Sequence, residues 1–438
     1  MRRRSFLRVT AAGVAAGAWP QLLPGSAAAL STALDGAALP AVGSSAQDEA
    51  FWRHVRSFYT PPTDYLDFDH ANTSPTAAPV FDAFAERARV LSHAPAERFN
   101  TLWKEAVDDV VRPALASYLG TEPKRIALMG NSTTALNTVL HGFPMERGDE
   151  ILVTDHEYPD MVETILQRTR REGIVMRVVP VPGAAEDRLA LVARLSEAIT
   201  PRTKLLLISH VSAWSGEILP VAEVCAAVRE RGVAVLVDAA QSVGMLDVGF
   251  DAIGCDFLAT SLHKWLGAPL ASGVLVMRPE HTTTVWPLHP PSWDAPEHPM
   301  DRFEWCGTID MAAQAAITDA LAFQRTIGTE RKRARMRFLG DCCQGRLGEV
   351  RGVRILTPRD RERSFGVAAL MVEGVPSAAL AKHLRSREGI LVQDKAGRHS
   401  PFENALRVSP GPYTTPAELD RLVAAIGAVA RDGLPLER

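Results

Sequence analysis

Apolar residues in this chain arrive in short, nearly unbroken runs: "RIALMG" at 125–130, "EILVTD" at 150–155, "GIVMRVVPV" at 173–181, "TKLLLISHV" at 203–211, "VAVLVDAA" at 233–240, "DFLATS" at 256–261 and "GVLVMR" at 273–278. Runs of this length, rich in Val, Ile and Leu and lacking polar alternation, read as strands buried on both faces. Segments with a 3.6-residue period separate most of them, notably 133–142, 159–172 and 220–231. Strand alternating with helix predicts an α/β protein whose mostly parallel, seven-stranded sheet is flanked by helices. A long helical stretch over about 311–349, the run "FGVAALMVEG" and a last amphipathic helix opening near Pro416 predict a smaller C-terminal α+β domain. With 438 residues, more than one core usually organises, the expected division is a large domain over 65–325 and a small one over 326–438. The Pro-rich "WPLHPPSWDAPEHP" at 286–299 is expected to be a long irregular loop.

Ahead of these elements stands a leader, "MRRRSFLRVTAAGVAAGAWPQLLPGSAAALS". It joins a basic start, an apolar segment interrupted by Gly and Pro, and Ala27-Ala28-Ala29 as a small-residue cleavage signal. Arg3-Arg4-Ser5-Phe6-Leu7 matches the twin-arginine export pattern. Residues 1–29 are therefore expected to be a twin-arginine signal peptide and 30–64 a linker and N-terminal arm. The folded protein is expected to reach the periplasm or be secreted. The apolar segment is too short and too interrupted to predict a stable membrane anchor.

Composition narrows the classes further. Hydrophobic content of 46% with 23% charged residues is ordinary for a globular enzyme, and a net charge of -3 argues against nucleic acid as a partner. The basic run Arg331, Lys332, Arg333, Arg335 and Arg337 is expected on a solvated helix face. Five scattered cysteines without a C-x-x-C pair predict neither a disulfide framework nor a metal site, and the adjacent Cys342 and Cys343 are expected side by side on a helix. No G-x-G-x-x-G follows a strand and no Walker lysine motif is present, which disfavours a nicotinamide-dependent dehydrogenase.

Candidate chemistry gathers where open parallel sheets bind ligands, beyond the carboxyl ends of strands. Asp238 ends the run at 233–240, Asp155 and His156 end another, and Ser209 and His210 a third. Asn131-Ser132-Thr133-Thr134 opens a helix, whose N–H groups and dipole suit a phosphate. Lys264 sits in the otherwise apolar "ATSLHKWLGAPLASGVLVMR", where burial lowers an amine's pKa and readies it for covalent chemistry. Each feature alone has an ordinary explanation: a snorkelling lysine, a helix N-cap, a turn aspartate. Together they fit one ligand, pyridoxal 5'-phosphate, joined to Lys264 as a Schiff base with Asp238 at its ring nitrogen.

On "SLHKWLGAP", "TDHEYPD" and "NSTTALNTV" the chain resembles the class V aminotransferase superfamily of fold-type I pyridoxal-phosphate enzymes over nearly all of residues 65–430, and within it the isopenicillin N epimerase-like branch. The resemblance implies that Lys264 attaches the cofactor and shuttles protons, Asp238 keeps the pyridine nitrogen protonated, His156 stacks on the ring and Gln241 hydrogen-bonds the phenolic oxygen. It implies that Ser132, Thr133, Ser261 and His263 bind the phosphate. Arg407, in "RVSPGPYTTPAELDRL", would grip the substrate carboxylate, a task suited to a guanidinium fork. Thr308, in "WCGTID", would reach the cofactor of a partner subunit, since the family places its site at a homodimer interface.

Cysteine desulfurases share the scaffold but need a nucleophilic cysteine on the loop before that arginine. Here the loop reads "LVQDKAGRHSPFENALRV", and Ala213 stands where desulfurases carry asparagine, so desulfuration is disfavoured. Two reactions on an amino acid or peptide natural product remain, with an aminotransferase placed first and an isopenicillin N epimerase-like epimerase as the alternative. The export leader also sets the chain beside periplasmic pyridoxal-phosphate enzymes that tailor peptide siderophores. A non-catalytic cofactor-binding protein is the reading from another class, opposed by the presence of Lys264, Asp238, His156 and Arg407 together.

Overall fold

The computed structural model describes residues 45–292 and 298–435. The leader, residues 30–44 of the expected linker and the centre of the 286–299 loop lie outside them. After a short strand β1 (Leu66–Asp67), the seven apolar runs become β2 (Ile126–Met129), β3 (Glu150–Thr154), β4 (Val175–Val179), β5 (Thr203–Ser209), β6 (Ala234–Asp238), β7 (Phe257–Ser261) and β8 (Gly273–Met277). They form one sheet in the order β2-β8-β7-β6-β5-β3-β4. Only β8 runs against its neighbours β7 and β2. The physical reason is the connection: β7 returns to β8 through the eleven-residue lysine loop, too short for the crossover that parallel strands need.

Three periodic segments become the helices that cover this sheet, once a first helix α1 (Glu49–Arg56) has been passed: α2 (Ser132–Gly142), α3 (Pro159–Glu172) and α4 (Val221–Arg229). Helix α1 falls inside the segment expected as linker and arm. Asp48 caps it by accepting the Ala50 and Phe51 N–H groups. Its Phe51, Trp52 and Val55 join the main core, and burying an apolar side chain of this size stabilises by about 1.5–3 kcal/mol.

The long helical stretch expected over 311–349 is divided into Met311–Ala315, Ile317–Ile327 and α5 (Thr329–Gly348). Gly328, at φ +88°, adopts a conformation no helix interior allows and breaks the run there. The basic residues of α5 correct another expectation. Lys332 and Arg335 are buried, not solvated. Arg335 pairs with Glu49 and donates to the carbonyls of Pro412 and Thr414, fastening α1 to the C-terminal segment. Lys332 donates to the Trp265 carbonyl and, at 2.9 Å, to Gln324 Oε1. Such contacts replace the water that a charged face would otherwise keep. Cys342 and Cys343 do lie side by side on α5, and all five thiols are free.

The C-terminal residues form a second, antiparallel sheet from β9 (Val353–Ile355), β10 (Ala368–Val372), β12 (Gln393–Asp394) and β13 (Leu406–Val408), ordered β12-β13-β10-β9. Strand β11 (Ile390–Leu391) instead pairs in parallel with β1. A capping box between Thr415 and Glu418 opens α6 (Pro416–Asp432), whose Leu419, Leu422 and Ile426 pack with Leu339 and Leu347 of α5. Phe68 belongs to the same cluster, and Asp69 forms a bridge with Ser409. The segment after β1 is thereby anchored beside β13.

Candidate active site

The register of the large sheet assembles the centre. Asp238 is the last residue of β6, opposite Ser209 of β5 and Ala259 of β7. It is buried, one oxygen accepting the Ala240 N–H at 2.9 Å, and the described residues give the other oxygen no hydrogen bond. Burial pushes its carboxyl up, against the Ala240 N–H and the charge of Lys264. Lys264 follows β7 by three residues. Burial draws its amine down to about 8, Asp238 opposing and Arg407 adding to the shift. An amine in this range is roughly one-tenth uncharged at pH 7, far more than an ordinary lysine, and that fraction is able to attack a carbonyl.

Ser261 meets Ser132 at the N-terminus of α2, whose first turn also carries Thr133, and His263 follows β7 by two residues. Asn131 caps that helix by accepting the Thr134 N–H. The Ser132 N–H donates to Ser261 Oγ, which in turn reaches Ser132 Oγ, both at 2.9 Å. His263 Nδ1 is buried without a partner among the described residues, and burial with repulsion from Lys264 holds the ring's pKa down. Gly273 makes the convergence possible: a Cβ there would lie 2.6 Å from Asn131 Cα. The hydroxyls of Ser132, Thr133 and Ser261 and the helix dipole form a cradle for a phosphate.

His156 is buried, its Nδ1 2.8 Å from Asp155 Oδ1 and its N–H on Thr154 Oγ1. Burial alone would raise Asp155, but the hydrogen bond and charge of His156 and the Val181 N–H bring it below the usual carboxylate range. Gln241 is oriented at both ends: Nε2 donates to the Ala71 carbonyl and Oε1 accepts from Trp265 Nε1, each at 2.8 Å. Its acceptor being occupied, its second N–H remains to donate, as a phenolic oxygen requires.

Arg407 enters from β13, where it pairs with Ala369 and Gln393. One terminal nitrogen donates to the Ala213 carbonyl at 2.8 Å, the other to Asp69 Oδ1 at 2.8 Å and Gln393 Oε1 at 2.6 Å. Its Nε is buried and unpartnered among the described residues. Thr308 is not brought to this centre; it is exposed.

Sequence reasoning missed three residues. Asp69 is an unremarkable acid in "LDFDHAN", 338 positions from Arg407, and only the fold reveals the pairing. Glu157 stands inside "TDHEYPD". It is buried, accepts Thr154 Oγ at 2.6 Å and Ser209 Oγ at 2.7 Å, and is pushed up to about 7 by burial, with Asp238 adding to the shift against those hydrogen bonds. Lys395 belongs to "LVQDKAGRHSPFENALRV", a loop singled out in the sequence only for its lack of cysteine. Ser209 and His210 serve the frame: the His210 N–H donates to the Asp238 carbonyl, and burial lowers the ring to about 4.

The residues fit pyridoxal phosphate. A buried carboxylate with an open oxygen suits the ring N–H, an orphaned imidazole nitrogen and a helix N-terminus suit the phosphate, and an amine of lowered pKa suits the aldehyde. Fold and site together define a pyridoxal-phosphate enzyme of the fold-type I class. The chain belongs to the aminotransferase class V family, whose model matches residues 65–422. It is 35% identical to the isopenicillin N epimerase of Streptomyces clavuligerus over 79% of this chain and 91% of that protein. It is 28% identical to a probable cysteine desulfurase of Xylella fastidiosa (strain 9a5c), over 82% of this chain and 89% of that one. A solved structure of C-DES with glycine covalently linked to its pyridoxal-phosphate cofactor superposes with a TM-score of 0.74, at 22% identity, covering 85% of this chain and 98% of that one. Pyridoxal 5'-phosphate is the cofactor.

Proposed function

We propose that the enzyme inverts the configuration at Cα of an amino acid, free or as a unit of a peptide that keeps its α-carboxylate. The observation that carries this reading is the Arg407 clamp: a buried guanidinium, held on three sides and with Nε unpartnered among the described residues, beside the amine of Lys264. Similarity to isopenicillin N epimerase across most of both chains supports inversion. The loop before Arg407 holds no thiol, which opposes desulfuration.

When bound, pyridoxal phosphate supplies a carbonyl for the Lys264 amine and a protonated ring that withdraws electron density from Cα. Asp238 keeps the proton on the ring nitrogen. Ser132, Thr133, Ser261 and His263 would hold the phosphate, His156 would stack on the ring and Gln241 would donate to the phenolic oxygen. Arg407 orients the substrate through its carboxylate, and Lys264 moves a proton at Cα.

Purified holoenzyme incubated in deuterated water with both configurations of a panel of amino acids tests the reading. Deuterium at Cα with the amine retained and the opposite configuration appearing supports inversion. Release of a keto acid marks transamination, the reaction placed first from the sequence and one that needs only Lys264 as a proton carrier. We further propose that the leader exports the folded enzyme through the twin-arginine route and that two copies form a homodimer whose Thr308 faces the neighbouring site. Replacing Arg3 and Arg4 by Lys, with cell fractionation, checks the first, and sedimentation checks the second.

A further inference from the structure

One amine near the clamp has no part in the chemistry above. Lys395 directly follows β12, and its backbone N–H donates to the Ala405 carbonyl at 2.7 Å, so the chain stays in step with β13 as it passes Arg407. Gln393, two residues earlier, holds the guanidinium. The Lys395 ammonium lies 5.3 Å from the centroid of the Trp214 ring, and Trp214 follows Ala213, whose carbonyl holds the other guanidinium nitrogen. Lys395 therefore lies beside the residues that hold the clamp, on the side of the small sheet, whereas Lys264 follows the end of β7.

The two amines share an environment. Arg407 and Asp69 act on both, and the charge of Lys264 acts on Lys395. The described residues give Lys395 Nζ no hydrogen bond or ion pair, although it is half-buried. Burial, followed by repulsion from Arg407, brings this amine to about 7, with Asp69 opposing. Inversion between two fixed groups takes a proton carrier on each face, and each must be able to exist in both protonation states near the working pH.

We propose that Lys395 is the second proton carrier at the substrate Cα, acting on the face opposite Lys264. This rests on the epimerase reading. In one direction the neutral Lys395 amine takes the Cα proton as the C–H bond breaks and its electron pair stays on the substrate. The Lys264 ammonium then delivers its proton to that pair from the other face. The amines have exchanged protonation states, and water restores them. The reverse direction swaps their roles, so no oxidant or other co-reactant is consumed.

The test compares wild-type holoenzyme with Lys395→Gln and Lys395→Arg on both configurations of the amino-acid panel in deuterated water. In Lys395→Gln, the configuration whose Cα–H faces Lys264 exchanges with retention at a rate within about tenfold of wild type. Exchange of the opposite configuration and formation of epimer each fall by roughly a hundredfold or more, the usual worth of a positioned acid–base group. Equal slowing of both configurations would assign Lys395 a structural role and overturn the proposal. Pulse acetylation of the protein across pH, read by mass spectrometry, supplies a second measurement independent of turnover. Lys395 is expected to become reactive with a midpoint near 7 and to be shielded by a bound amino acid. A midpoint near the ordinary lysine value of about 10.4 overturns the assignment. Wild type that inverts substrate while Lys395→Gln is unaffected keeps the epimerase reading and removes Lys395. Wild type that yields only keto acid removes both.

Discussion

Arg407 and Asp69 meet at 2.8 Å across 338 positions of chain, both buried. The pair joins the segment after β1 to β13 and sets the guanidinium beside Lys264. A buried ion pair is weak evidence of stability on its own, but breaking one leaves an uncompensated charge.

Asp69→Ala is accordingly expected to destabilise the holoenzyme by about 3–5 kcal/mol and to raise KM more than it lowers kcat. Asp69→Asn keeps a hydrogen-bond acceptor and is expected to lose less. Urea unfolding together with steady-state kinetics checks both. An unchanged KM would show that the clamp does not depend on Asp69.

Lys264→Met keeps the buried stem and removes the amine. Borohydride treatment of the reconstituted wild type is expected to fix the cofactor at residue 264, and the variant is expected to give no adduct. In the cofactor-free protein the folded amine sits near 8 rather than the ordinary 10.5, so the penalty on its charged form is complete below about 8 and fades as pH rises towards 10.5. Lys264→Met is therefore expected to be more stable than wild type at pH 7, by a margin that shrinks above pH 8. Thermal unfolding across pH measures it.

Glu157 is shifted the other way, from 4.5 to about 7. The unfolded chain ionises first as pH rises, so wild-type stability should fall between about 4.5 and 7 on account of this group. Glu157→Gln keeps a neutral side chain against Thr154 and Ser209 and should abolish that fall, leaving the variant the more stable above pH 7. Parallel melting curves at pH 5 and pH 8 decide it.

Gly273→Ala forces a methyl against the backbone of Asn131. It is expected to destabilise by about 1–3 kcal/mol and to weaken cofactor binding, because the N-terminus of α2 must shift. Gly345→Ala, on α5 with open space around its Cβ position, is the control and should be neutral or slightly stabilising. Cofactor titration by absorbance reads the difference.

Much of the framework was legible in one dimension. Six of the seven strands could be read because residues covered by helices on both faces must be apolar, which leaves nearly unbroken runs, whereas β4, at the sheet edge with Val175 and Val178 exposed, shows a similar run without that burial. Lys264, Asp238 and the Ser132 turn stood out for the complementary reason: each is a polar group at the end of such a run. The divided helix after Met311 was not legible, since the apolar period continues across breaks that the backbone makes at Ala316 and Gly328. The burial of Lys332 and Arg335 was equally hidden, because a basic run has the same composition whether water or carbonyl groups surround it.

Local pattern by itself determined the layers, the order of the strands along the chain and the class of chemistry, since periodicity and strand-end polarity are properties of neighbouring residues. Which distant residues complete the site was decided by tertiary structure alone. Asp69 carries no distinguishing neighbours in the chain, and the segments around Glu157 and Lys395 stand out without marking those two residues. Packing brings Asp69 within hydrogen-bond reach of Arg407, while burial and Coulomb forces from other elements set the protonation of Glu157 and Lys395.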